Sequence, residues 1–500
     1  MDCAVDRMFV SISVRDGRCL PEGQSKRGYS VMIEVFDDKI RGALKKSIGW
    51  IPLIVLIVLS TGIFYYTAIQ QRYAIIDELT SFKQAEFIRI TSISFVCVFV
   101  LTALFQLREL KRLSLFHVIL ALLVTGLIIL GKISLLDYQS NDYEIFLSGW
   151  IYEYTQLPLW NAIGTYIGSD YSPPYLYFLA LMSRLTVFPW LYLIKALSAA
   201  FDALLAFSIM KMVGLRWESP VYRIGTYLMT LLLPTVVFNG TYWGQCDVIY
   251  TSLCMMAVYL ALRQKSIGSF LLFGIALSFK LQTVFFLPVL LPLWLHKDIK
   301  LRWIVLIPVG YMLMMIPALL AGKSLHHVLT VFLQQAGQYN FITMNGPSVY
   351  ELFLQPTQPD SGVFYEMFSQ MAMFLAFGAV LGISLLLCIY RRRLNAESIL
   401  LSALLYLSVV PFLLPKMHER YSFGADVMAM AVCMWNPRRR FVLPILFGLS
   451  SYFLYTSGLA GEAVLLPQMA VLFYAAGIGM TLIELITVLR ESSDAELSVI

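Results

Sequence analysis

The residue best placed to do chemistry is Asp142. It follows Ser140-Asn141, leads an aromatic stretch of Tyr143, Phe146, Trp150 and Tyr154, and lies just beyond the end of an apolar run. A carboxylate held over the bilayer surface by an interfacial helix can act as general base on a hydroxyl whose reaction partner is embedded in the membrane. It needs orientation and partial burial to do this well. Lys280, in Phe279-Lys280-Leu281-Gln282, interrupts an apolar stretch, and His418-Glu419-Arg420-Tyr421 follows another. Both segments supply cationic donors. An arginine grips a phosphate with two parallel hydrogen bonds and a lysine acts as a point charge. Cations beside a leaving phosphate stabilise the charge that develops as the bond breaks.

Other polar residues gather in a few segments. Asp170-Tyr171 precedes Ser172-Pro173-Pro174, and Asn239 to Asp247 ends in Gly244-Gln245-Cys246-Asp247. The long segment 321–367 carries Tyr339-Asn340, Asn345-Gly346-Pro347 and Glu351. Ionisable groups at bilayer depth cost about 2.5–3.5 kcal/mol each on insertion scales, so Asp247 at a helix start and Lys280 in a hairpin need a reason. A plain reading stands beside each functional one. Asp247 and Lys280 could pair only to tie helices together. His418 and Arg420 could be anchors that snorkel outward. Glu144 and Glu153 could be the solvated face of an amphipathic helix. The seven cysteines show no paired spacing, and no Cys/His metal pattern exists. Cys97, Cys254, Cys388 and Cys433 read as packing residues inside apolar runs, leaving Cys246 as the one near the polar motifs. There is no Asp-x-Asp motif and no glycine-rich phosphate loop, which argues against a nucleotide-sugar donor. No cofactor is expected, and a metal is not needed.

The elements that must position these residues are transmembrane helices. Of 500 residues, 59% are hydrophobic and 14% charged, with a net charge of +6. A soluble domain of this size needs far more charge to cover its surface. A span needs about 20 apolar residues. Clear candidates are 48–69, 87–107, 114–136, 190–212, 221–239, 301–320, 368–390 and 464–489. Shorter ones are 245–262, 398–414, 421–436 and 441–457, and 267–295 reads as two short helices meeting at Lys280-Leu281-Gln282. The expected fold is an all-α bundle of about fourteen spans. Lys and Arg placement orients it. With Lys39, Arg41, Lys45 and Lys46 in the cytoplasm, so are Arg108 to Arg112, Lys211 to Arg223, Arg263 and Lys265, Lys297 to Arg302, Arg391 to Arg393 and Arg438 to Arg440. This holds only if 174–188 lies in the interface or dips in and returns. The polar motifs then all fall on the extracytoplasmic side. The chain divides into a polar cytoplasmic N-terminus (1–47), two extra helices (48–113), a catalytic core (114–436) and C-terminal helices with a short cytoplasmic tail (437–500). Met32 is a candidate start.

An acidic residue after an early span, then Asp-Tyr-x-Pro-Pro, Gly-Gln-x-Asp, Phe-Lys-x-Gln and His-Glu-Arg-Tyr occur in that order over roughly 114–436. This resembles the GT-C superfamily of polytopic glycosyltransferases, and within it the bacterial relatives of the GPI mannosyltransferases and the asparagine-linked-glycan glucosyltransferases. The resemblance implies a polyprenyl-phosphate sugar donor, inversion at the anomeric carbon, and a glycan or glycolipid acceptor on the extracytoplasmic face of the cell membrane. It implies catalysis by Asp142, phosphate contacts from Lys280, Gln282, His418 and Arg420, and sugar or acceptor contacts from Glu144, Asp170, Tyr171, Gln245, Asp247, Glu419 and Tyr421. Two features depart from the pattern. Tyr171-Ser172-Pro173-Pro174 carries one residue more than the usual Tyr-Pro-Pro, and the spans within 48–107 precede the usual first helix. The alternatives are a polysaccharide polymerase or ligase, and a secondary transporter.

Overall fold

The computed structural model describes residues 81–337, 341–354, 363–460 and 466–497. The N-terminal segment 1–47 with Met32, the expected span 48–69, and Tyr339-Asn340 lie outside the described residues. The described chain is helical almost throughout, as the apolar runs require of a backbone in lipid, where each N–H and C=O must be paired within its own segment.

Among the described residues, fifteen α-helices of eight or more residues carry the fold. They are α1 Ser81–Leu110, α2 Leu115–Ser134, α3 Ser148–Thr155, α4 Pro173–Met182, α5 Trp190–Val213, α6 Pro220–Leu231, α7 Asp247–Leu262, α8 Ser266–Phe279, α9 Leu306–Leu320, α10 Leu325–Gly337, α11 Val363–Ile389, α12 Ala396–Leu413, α13 Phe423–Trp435, α14 Val442–Ala460 and α15 Pro467–Leu497. Among the described residues, seven helical stretches are long and apolar enough to cross a membrane. An eighth span is a broken pair, Pro220–Leu231 and Pro234–Trp243, bent by 53°. Pro234 has no N–H to continue the ladder, so the bend falls there. α4, α7, α8 and the Leu281–Leu295 stretch are shorter apolar helices. The expected spans that fall within the described residues are thus a mixture of full-length, broken and short helices. α4 has ten residues, about 15 Å of helix, and is half the length needed to cross about 30 Å of hydrocarbon.

The direction of the chain sorts the two ends of the bundle. α2, α6, α8 and α12 run toward the polar motifs, and α5, α7, α11 and α13 run away from them. At the far end the basic clusters meet their partners. Arg216 and Arg440 both pair with Glu397, each at 2.6 Å, and Arg440 and Arg439 pair with Glu484 at 3.0 Å. Arg223 pairs with Glu109 at 3.1 Å. The basic turns that the sequence groups on one face therefore gather at one end of the bundle.

One docking event crosses long sequence distances. Strand β1 (Thr343–Met344) pairs in parallel with β2 (Met417–His418), Thr343 opposite Met417 and Met344 opposite His418. Gly346 makes this possible, because a Cβ there would stand 2.2 Å from the Met417 carbonyl oxygen. Gly346→Ala is expected to undock segment 342–352 at a cost of about 1–3 kcal/mol. A lowered thermal midpoint and faster proteolysis near residue 345, measured in lipid nanodiscs, would show it; an unchanged midpoint would argue against the docking.

Candidate active site

Each site residue sits where a helix is interrupted. After the Pro234 bend the chain runs through a π-helical segment, Val237–Trp243, and stops at Gly244, whose φ of +85° suits glycine. Gln245 and Cys246 follow, and α7 starts at Asp247. α8 ends at Phe279, and Lys280 is extended (φ −153°, ψ 137°) before a 3₁₀ stretch, Leu281–Val289. This extended residue turns the lysine side chain out of the helical run. Asp142 precedes a π turn, Tyr143–Leu147, which continues into α3. Arg420 lies in a 3₁₀ turn, Glu419–Ser422, between β2 and α13.

These interruptions converge on a cavity of about 880 Å³. Asp142, Asp170, Tyr171, Lys280, Gln282, His418, Glu419, Arg420 and Tyr421 line it. The Asp142 Oδ2 accepts three hydrogen bonds, from Trp243 Nε1 (3.1 Å), Arg420 Nη1 (3.0 Å) and Gln245 Nε2. The Lys280 ammonium is ion-paired with Asp247 Oδ1, and Asp247 Oδ2 accepts from Asn239 Nδ2 at 3.1 Å. Arg420 also lies over the Trp243 ring at 5.6 Å, and Lys280 over Tyr421 at 5.9 Å. Arg420 keeps one donor in hand: among the described residues its buried Nε has no hydrogen-bond partner. The same is true of the Gln282 amide oxygen.

Gln245 and Asp247 do not line the cavity. They stand directly beneath it, holding Asp142 and Lys280. Tyr171 OH lies 3.5 Å from Gln245 Oε1. The Asp170 carbonyl accepts from Gln335 Nε2 at 2.6 Å, which ties α10 to the rim. Glu144 and Glu153 are exposed, and neither lines the cavity.

His418 is expected from sequence as a cationic donor, and the structure corrects this. Burial, with Arg420 and Lys280 nearby, pushes its pKa down to about 3, so the imidazole is neutral. Burial pushes the Glu419 carboxyl up to about 7, against the opposing pull of Arg420. It raises Glu351, on the docked segment, to about 7 as well, although the Asn345 N–H donates to its Oε1 at 2.8 Å. Asp170 is also raised by burial. His418 and, in part, Glu419 therefore carry less charge near neutral pH than their residue types suggest.

Sequence reasoning missed the residues behind this wall. Lys132, Lys195 and Asp202 are almost fully buried inside the apolar runs of α2 and α5. The signal was present, since an ionisable residue inside an apolar run needs a purpose. Trp243, a donor to Asp142, had no signal beyond lying in the same turn as Gln245.

Residues 170–415 match the model of Glycosyltransferase family 87, a glycosyltransferase family in the GT-C-like polytopic group. The chain is thus a polytopic membrane glycosyltransferase of the GT-C-like kind, and the transporter alternative is set aside. The match takes in Asp170, Tyr171, Gln245, Asp247, Lys280 and Gln282, and leaves Asp142 and His418 to Tyr421 outside its bounds. The narrower likeness to the GPI mannosyltransferases and the asparagine-linked-glycan glucosyltransferases does not follow from it. No curated protein matches the chain.

Proposed function

We propose that this glycosyltransferase moves a hexose, mannose or a similar sugar, from a polyprenyl-phosphate carrier to a hydroxyl of an envelope glycan or lipid-linked acceptor on the extracytoplasmic face of the cell membrane. Both chain termini then face the cytoplasm. The observation that carries the proposal is the meeting of Asp142 and Arg420 at 3.0 Å on the wall of a cavity that also holds Lys280. The carboxylate belongs to an early loop, and the two cations to segments far along the chain.

The reaction then runs as follows. Asp142 accepts the proton of the acceptor hydroxyl as that oxygen bonds the anomeric carbon. The bond between the anomeric carbon and the phosphate oxygen breaks on the opposite face, and its electron pair leaves with the polyprenyl phosphate. Lys280 and Arg420, both on the cavity wall, stabilise the charge gained by that phosphate. The neutral His418 offers a hydrogen bond without charge. Gln282 lines the same cavity, and its amide can donate to a phosphate oxygen or accept from a sugar hydroxyl.

Helix length supports a membrane-level donor. α7 and α8 have 16 and 14 residues, about 24 and 21 Å, and both start or end in the basic loop at 263–265. Against about 30 Å of hydrocarbon, Asp247 and Lys280 stand below the outer surface. A lipid phosphate can reach that depth. The cavity walls also include Val284, Phe285, Leu281 and Met373, which suit the first isoprene units.

Purified protein in liposomes should transfer sugar from a synthetic polyprenyl-phosphate hexose, with inverted anomeric configuration in the product. Direct transfer from a nucleotide sugar, or a retained configuration, would overturn the proposal. The pH dependence gives a second test. Glu419 is neutral below about 7 and ionises above it. An added negative charge beside Arg420 opposes phosphate binding, so the donor KM should rise as pH passes through 7. Glu419→Gln should flatten that rise; an identical profile in the variant would show that another group titrates.

A further inference from the structure

The carboxylate of Asp142 and its donors come from separate segments, so something must hold those segments in register. We infer that one face of α5 does this, and that Lys195 is a positioning residue that sets the Asp142 carboxylate without touching substrate. The inference rests on the reading of Asp142 as the base.

Lys195, Ser198 and Asp202 are spaced i, i+3, i+7 and so share one face of α5. All three are buried, Lys195 completely. The Lys195 ammonium donates to the carbonyl oxygens of Leu135 (3.0 Å), Leu136 (2.8 Å) and Tyr138 (2.8 Å). These groups follow the last turn of α2, where carbonyls lack helical partners and a cation is favoured. The clamped segment leads directly to Asp142, four residues past Tyr138. One turn along α5, the Ser198 hydroxyl donates to the Gln245 carbonyl at 2.8 Å. The amide of that same Gln245 donates to Asp142. A further turn along, Asp202 pairs with Lys132 at 2.5 Å, and Lys132 donates to Thr241 Oγ1 at 3.2 Å. Thr241 lies two residues before Trp243, the second donor to Asp142. Ser140 closes the arrangement by donating to the Trp243 carbonyl at 3.0 Å.

The segments that carry the base and two of its three donors are therefore tied to one face of α5. Charged groups in a spanning helix are expensive, and apolar residues alone could pack α5 against α2. What the ammonium adds is a fixed path for the backbone between residue 135 and Asp142. Without it, three carbonyls lose their donor and the segment relaxes. A displacement of about 1 Å at the base is enough to cost about 100-fold in rate.

The test uses the full-length protein in lipid nanodiscs, with a synthetic polyprenyl-phosphate hexose as donor. Lys195→Met should lower kcat by about 10- to 100-fold and leave the donor KM unchanged. Lys195→Gln keeps an amide that can donate to two of the three carbonyls, so its kcat should lie between Lys195→Met and wild type. Asp142→Asn is measured alongside. If Asp142→Asn is inactive and Lys195→Met turns over like wild type, the inference about Lys195 fails and the base assignment stands. If Asp142→Asn is fully active, the base assignment fails instead. If both Lys195 variants fail to fold, or lose kcat only in proportion to their folded fraction, Lys195 is a structural tie and the inference is overturned.

Discussion

Asp142→Asn is expected to lower kcat by about 10²- to 10⁴-fold, the usual contribution of a positioned general base, with donor binding intact. Asparagine keeps the size of the side chain. Its amide oxygen can still accept from Trp243 Nε1 and Gln245 Nε2, so the wall of the cavity should stay in place. What it loses is the ability to take a proton and the charge that pairs with Arg420. The measurements are steady-state transfer and direct binding of a non-hydrolysable polyprenyl-phosphonate sugar. Full activity would remove Asp142 from the mechanism. Lost binding with little change in kcat would make it a donor-site residue instead.

The second large effect concerns Lys280 and Asp247. Lys280→Met leaves Asp247, completely buried, without its cation. Breaking a buried pair from one side costs about 3–5 kcal/mol, because the remaining charge is uncompensated. The thermal midpoint should fall clearly, and donor KM should rise. The double variant Lys280→Met/Asp247→Asn separates the two roles. It removes both charges, so stability should return toward wild type, while donor KM stays high because no ammonium faces the phosphate. If the double variant recovers transfer as well as stability, the pair only ties α7 to the end of α8. That outcome would leave Arg420 as the cation of the donor site.

The legibility of this chain in its sequence was uneven for physical reasons. The apolar helices and the separation of polar motifs from basic turns were readable because hydropathy and Lys/Arg placement are local properties of a segment. The interruption at Lys280 was readable because a charge inside an apolar run has no cheap explanation, and the structure shows an extended residue between a helix and a 3₁₀ stretch. Span length was less readable. A single apolar run at 221–239 turned out to bend by 53°, since Pro234 only permits a break and packing decides its angle. The charge state of His418 was misread because residue type does not report burial.

The amino-acid sequence by itself determined that this is an all-α membrane protein, which end of the bundle carries the polar motifs, and which motifs those are. The tertiary structure alone decided which of them meet. Asp142 and Arg420 are separated by 278 positions, and only the folded bundle brings them to 3.0 Å. It likewise decided that Glu144 stays outside the cavity, that Gln245 and Asp247 support it from below, and that Lys195 stands behind Asp142. The reason is the range of the forces involved. Partition into lipid acts residue by residue along the chain, whereas a hydrogen bond or ion pair forms only where packing has brought two distant side chains within about 3 Å.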